Sequence, residues 1–192
     1  MPSRALRHWQ TRSRKVLDEM EAVHGVVGGG RTARRFARQQ VAQAYVVLLA
    51  SQFQLFCREL HTESAEWVTD DPAHEPLNLV LRTLLTTGRR LDVGNANSAT
   101  LGSDFGKLGI SFWDEVRRHR GANVQRKARL EELNCWRNAI AHQDFRNPGL
   151  AGSHEVRFQQ VRAWRRTCDA LAVEFDAVLR LYLMKLVGGA PW

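Results

Sequence analysis

Cysteine is scarce in this 192-residue chain: three residues (Cys57, Cys135, Cys168) stand singly, with no Cys-x-x-Cys pair. An odd number at such spacings excludes a disulfide framework and a zinc knuckle. Cys57 and His61 lie four apart on a helical pattern, but their neighbourhood lacks the further ligands that a metal site needs. Proline is also scarce, with 5 residues, and strict period-two alternation of apolar and polar residues is almost absent, which excludes most β architectures. No long apolar run occurs. The longest, Tyr45 to Ala50, is far short of the roughly 20 residues that cross a bilayer. The basic N-terminus is followed by no apolar region and no small-residue cleavage site, so no secretory signal is read and a cytoplasmic protein without a membrane role is expected. Acid is the last shortage. Against 28 Lys and Arg stand 20 Asp and Glu, a net charge of +8, which makes a polyanion such as RNA the first partner to consider.

What is present is helical periodicity in an ordinary globular composition, 44% hydrophobic and 25% charged. The expectation is one all-α domain of four to six helices, two of them long, with residues 1–30 as a basic N-terminal helix and glycine-rich hinge and 31–192 as the main bundle. The first helix reads from about Ser3 to His24, with Leu6, Trp9, Val16, Leu17, Met20 and Val23 on one stripe. Gly25 to Gly30 follows a helix and lacks the Gly-Lys-Ser/Thr ending of a phosphate loop, so it reads as a hinge. A long helix spans Thr32 to Val68, and its apolar circumference around residues 44 to 56 should be the centre of the core. Shorter helices are expected over Pro76 to Thr87, near Ser98 to Leu108 and over Phe112 to Arg120. A further helix runs from Asn123 to Asp144, and a last long one begins near Ser153 and Glu155 and ends about Val187.

The positive charge is uneven. Residues 1–40 carry a balance of +6. A second cluster, Arg117, Arg118, Arg120, Arg126, Lys127 and Arg129, has no acid between residues 116 and 130 and leads into the Asn123 helix, which suits contacts to backbone phosphates. Trp113 and Trp136 nearby are candidates for base stacking, although burial is the commoner fate of a tryptophan at helical spacing. On the helix itself, Arg129, Leu133, Trp136 and Ile140 read as the core face. Asn134, Asn138, Ala141, His142 and Phe145 fall roughly opposite and form a polar face of unusual composition.

The segment Arg137-Asn138-Ala139-Ile140-Ala141-His142 resembles the Arg-x4–6-His signature of the HEPN superfamily, with the asparagine after arginine and a position late in a helix that a loop and one more long helix follow. The resemblance covers residues 32 to 187 in helix order, and only the hexapeptide is specific. It implies an all-α, metal-independent endoribonuclease that acts as a homodimer and needs no cofactor. Stand-alone prokaryotic members linked to toxin–antitoxin and phage-defence loci are the most similar branch, which implies an antitoxin protein as a partner. Beside the resemblance, the chemistry is intelligible from the residues. His142 can exchange protons at neutral pH, Arg137 can fork onto phosphate oxygens, and Asn138, about 40° from His142 around the helix, can orient the imidazole. Arg137 and His142 differ by about 140° on an ideal helix, so a second copy is expected to complete the site across a seam of Asn134, Asn138 and His142. The same cluster also reads as a helix C-terminus whose cations answer the dipole, and a non-catalytic RNA-binding or protein-interaction bundle is the alternative.

Overall fold

Ser3 opens the first helix as an N-cap. Its Oγ accepts the Leu6 backbone N–H at 3.0 Å, the most direct way to satisfy an amide that has no helical partner. Its own N–H donates to the buried Asp176 carboxylate at 3.0 Å, and Glu63 accepts the N–H groups of Arg4 and Ala5. Through these bonds the N-terminus is tied to two distant helices. In the computed structural model, which describes residues 1–27, 31–70, 75–150 and 152–192, the chain continues from α1 (Arg4–His8) through a π turn (Trp9–Ser13) into α2 (Arg14–Val26). The π turn takes in one additional residue, so positions beyond it meet the core one place later than regular spacing predicts. Leu6, Trp9, Ser13 and Leu17 are buried, whereas Val16 and Val23 of the expected stripe are exposed. Gly25 and Val26 of the expected hinge are still helical and Val27 caps the helix, while residues 28–30 lie outside the described residues.

The axis of the molecule is α3 (Arg31–Val68), one residue longer at its start than the sequence reading. Tyr45, Val46, Leu49, Phe53, Phe56, Cys57 and Leu60 are buried along it, as the apolar circumference predicts. Next come α4 (Glu75–Thr86), the short α5 (Arg90–Val93), α6 (Ser98–Gly106) and α7 (Phe112–His119), then α8 (Asn123–His142), a 3-10 turn (Pro148–Leu150) and α9 (Phe158–Val187). Every regular element among the described residues is helical, so the all-α class holds. α9 packs against α3, α8 and α7. Aromatic rings join these layers: Phe112 stacks on Phe105 at 4.4 Å and meets Phe175 edge-on at 4.8 Å, and Phe53 lies between Trp9 and Phe175. Leu6, Trp9 and Leu17 belong to this same core, so the basic N-terminal helix is docked on the bundle.

The last helix starts later than expected. Residues 153–157 are not helical, and Val156 is buried while Arg35 pairs with Glu155 across from α3. A side chain buried from an extended segment fixes that segment, and helix formation waits until Phe158. No helix among the described residues is long and apolar enough to cross a membrane.

Candidate functional site

α8 carries its core on Leu130, Leu133, Trp136, Ala139 and Ile140. Two side chains fall elsewhere than the sequence reading placed them. Arg129 is exposed, not core. Asn134 is buried, and its amide donates to the carbonyls of Ala96 and Leu130 at 3.2 and 2.9 Å, so it is a structural clamp inside one chain and unavailable to a seam between two. Trp136 is buried against Trp164 and cannot stack a base. Trp113 is half-buried, with its indole N–H on the Ser98 carbonyl and Lys127 over its ring at 4.9 Å.

The end of α8 is sharply defined. Gln143 takes the left-handed conformation at φ 52°, and the N–H groups of Gln143 and Asp144 return to the carbonyls of Ile140 and Ala139. This closes the last turn in the manner usually assigned to glycine. The chain then folds back so tightly that a Cβ on Gly149 would lie 2.8 Å from Cys135 Sγ, so any larger residue at 149 would force the Cys135 side chain to move. Between this returning loop and α8 lies a groove of about 470 Å³ whose lining includes Asn97, Glu131, Asn134, Cys135, Asn138 and Asn147.

At its mouth the structure brings Arg137 and Asn138 together. Arg137 Nη1 donates to Asn138 Oδ1 at 3.2 Å, and Asn95 Nδ2 donates to the same oxygen at 2.6 Å. With its carbonyl doubly engaged, Asn138 is left with its amide N–H groups for a ligand. His142 stands one turn further on the same side of the helix as Asn138, exposed in the final turn. No bond links it to Arg137. Nearby, Asp144 is held down to about 2, chiefly by hydrogen bonds from Arg146, with a smaller contribution from His142. The groove's two acids are both engaged: Glu131 accepts from Ser98, and Glu132 accepts from the Trp164 indole and the Gln160 amide. Asn95 and Asn97, which precede the helix expected near Ser98 to Leu108, were not among the candidate residues read from the sequence. The run Gly94-Asn95-Ala96-Asn97-Ser98, with Asn97 capping α6, is the signal that marked a structured turn there.

The basic block has acids in space that it lacks in sequence. Arg117 pairs with Asp114 and Arg118 with Glu115, one helical turn back. Arg120 and Arg126 both reach Glu174 of α9, at 3.0 and 3.3 Å, where His119 and Asn123 also converge. Lys127 lies over Trp113, and among the described residues Arg129 alone of the six meets neither an acid nor a ring. A binding experiment should register this. Were RNA to bind this face, Arg129→Gln is expected to lower the salt slope by about 0.7, the value for one contact on a single strand, and Arg117→Gln, whose charge is partly offset by Asp114, by less, in filter binding across a salt series.

Other candidates separate from this site. Cys57 is buried, with its thiol pushed well up by burial. His61 is fully buried, with Nε2 on the Asp104 carbonyl at 2.9 Å, and burial pushes it down to about 4. Glu59 and Glu63 line a second cleft of about 410 Å³ with Arg4, His8, Arg58 and Arg89, and no residue of that lining belongs to the α8 motif. Among the described residues no group of three or more His, Cys, Asp or Glu side chains is placed to hold a metal ion. Comparisons with family models, curated proteins and solved structures find no match to this chain.

Proposed function

We propose that the chain is a HEPN-like, metal-independent endoribonuclease that acts as a homodimer, with the site on the C-terminal half of α8. The observation that carries this reading is the gathering of Arg137, Asn138 and Asn95 around one carbonyl oxygen at the mouth of a polar groove, one helical turn before the exposed His142. In the reaction, the RNA 2′-oxygen attacks the adjacent phosphorus and the P–O5′ bond breaks. The proton leaves the 2′-hydroxyl and the departing 5′-oxygen gains one, work suited to His142. Arg137 offsets the charge that builds on the non-bridging oxygens, and Asn138 holds the fork of Arg137 in place. The angle of about 140° between Arg137 and His142 on the helix is the reason to involve a second copy. A toxin–antitoxin or phage-defence setting, with an antitoxin protein as partner, goes with this reading.

The alternative is a non-catalytic helical module for RNA binding or protein interaction, and the pairing of Arg117, Arg118, Arg120 and Arg126 with acids favours its protein-interaction form. Incubating the protein with mixed RNA in EDTA separates the two. Fragments that accumulate with time support the nuclease, and intact RNA in the presence of well-folded protein supports the module.

A further inference from the structure

Four asparagines line the groove beside α8, and each has one end of its amide engaged within the fold. Asn97 Oδ1 accepts the Thr100 N–H at 2.9 Å, Asn138 Oδ1 accepts from Arg137 and Asn95, and Asn147 Oδ1 accepts the Gly149 N–H at 2.8 Å. An amide fixed at its oxygen has two donors left, and among the described residues nothing takes up those of these three. Asn134 is engaged the other way round. Its amide donates to Ala96 and Leu130, and its Oδ1 takes no bond among the described residues. The residue is only 5% exposed, so that acceptor is open to the groove and to little else. Glu131 adds a second acceptor, since one carboxylate oxygen takes both bonds from Ser98 and the other takes none.

Three ordered donor groups and two acceptors match a ligand edge that both donates and accepts. The lining holds Glu131 and Glu132 and no Lys or Arg, so the groove itself does not attract a phosphate. Cations stand outside it on two sides. Arg137 is at the mouth, on Asn138. The exposed Arg157 lines an adjoining cavity of about 510 Å³ that shares Glu132 and Gly149 with the groove. Amides and a carboxylate between two arginines suit a nucleotide whose base enters the groove while its phosphates stay outside, because phosphate contacts position and base contacts specify. Of the four bases, guanine matches the free groups most fully. Its N1–H and 2-amino group are adjacent donors, and O6 and N7 accept. An ionised carboxylate only accepts, so Glu131 favours the base with most donors on one edge.

We infer that the groove is a recognition subsite for guanine, with Glu131 and Asn134 accepting from its N1–H and 2-amino edge and the amides of Asn97, Asn138 and Asn147 donating to its ring acceptors. A guanosine held there brings a phosphate to Arg137, which is tied to Asn138. That the base belongs to RNA rests on the RNA-cleaving reading of α8; the choice of base is also read by binding alone. Strands that are constant except for one guanosine, inosine, adenosine, cytidine or uridine are offered to the full chain. Cleavage beside guanosine should be about 10-fold faster or more. Inosine, which lacks only the 2-amino group, should fall 10–100-fold behind, about the worth of a hydrogen bond to a charged group. The same series as 2′-deoxy tetramers in a thymidine background, which cannot be cut through a 2′-oxygen, should give the same order of dissociation constants by fluorescence anisotropy. Glu131→Gln keeps an oxygen for Ser98 and should narrow the guanosine–inosine gap several-fold; the gap compares two strands on one protein sample, so a loss of folded protein does not imitate it. Guanine-selective binding without cleavage would leave the subsite standing and sink the nuclease. Equal rates and affinities for all bases would overturn the subsite with the nuclease intact. A preference for another base, a gap unchanged in Glu131→Gln, or a folded wild type that neither cuts nor binds any strand would overturn it as well.

Discussion

His142→Ala is expected to slow metal-free RNA cleavage by about 10²–10⁴-fold, the range for removal of a positioned acid or base, without a change in thermal stability. The side chain is exposed in the final turn of α8 and supports no packing, and surface substitutions away from caps and buried pairs stay within about 0.5 kcal/mol. Arg137→Ala should cost about 10²-fold, as loss of one charge stabiliser in a transition state does. Arg137→Lys should recover only part of this, because an ammonium supplies the charge without the fork. Asn138→Ala should show a smaller loss that appears mainly in substrate affinity, since it removes the carbonyl oxygen that accepts from both Arg137 and Asn95. Single-turnover cleavage assays with matched melting curves check all four variants.

The largest stability effect is expected at Glu174. This carboxylate is 5% exposed and takes bonds or ion pairs from His119, Arg120, Asn123 and Arg126, which ties α7 and the start of α8 to α9. Glu174→Ala leaves the half-buried Arg126 without its acid and should cost about 3 kcal/mol, at the low end for a broken buried pair because Arg120 and His119 regain water. In a chain of this length that lowers the melting temperature by about 6–12 °C. The pH dependence follows from the same cluster. Burial by itself would raise the Glu174 carboxyl, but the hydrogen bonds from His119 and Asn123 and the charge of Arg120 outweigh it, and the net shift is downward. A carboxyl lowered on folding contributes stability in full above its ordinary value of 4.5 and loses it as pH falls through the lowered folded value. Glu174→Gln should therefore be less stable than wild type at neutral pH, with the gap closing in acid. Either variant also frees Arg120 and Arg126, so RNA binding should gain a steeper salt dependence. Melting curves from pH 3 to 7 and a salt series check both parts.

How much of this was visible in the sequence differs by element. The bounds of α3 were legible because their signal is local, an apolar circumference from Tyr45 to Phe56, whereas α8 stops two residues before the expected Asp144 because Gln143 takes the left-handed conformation that closes it. The phase of the first helix was not legible, because a π turn at Trp9–Ser13 has no periodic signature of its own and is fixed by where Ser13 and Leu17 find the core. The start of α9 was misplaced for a similar reason, since burial of Val156 from a non-helical segment is a tertiary fact. At the site, the helix wheel gave the exposure of Asn138 and His142 but put Asn134 among them, and its burial depends on the Ala96 carbonyl 38 residues away. Asn95, 43 residues from Asn138, was invisible for the same reason. The basic block shows the limit most clearly. Its run without acids is real along the chain, yet Glu174 lies 48 residues beyond Arg126, so the half-buried Arg126 is committed within the fold while the paired Arg117, Arg118 and Arg120 stay exposed.

The central claim is that α8 uses the RNA's own 2′-oxygen to break the chain, without a metal. The most direct measurement is the chemistry of the product ends after wild-type protein has acted on a defined RNA in EDTA, read by mass spectrometry. The account predicts a 2′,3′-cyclic phosphate on one fragment and a free 5′-hydroxyl on the other, from the all-ribose strand and not from its 2′-deoxy counterpart. Fragments ending in a 3′-hydroxyl and a 5′-phosphate, or equal cleavage of the 2′-deoxy strand, would contradict it.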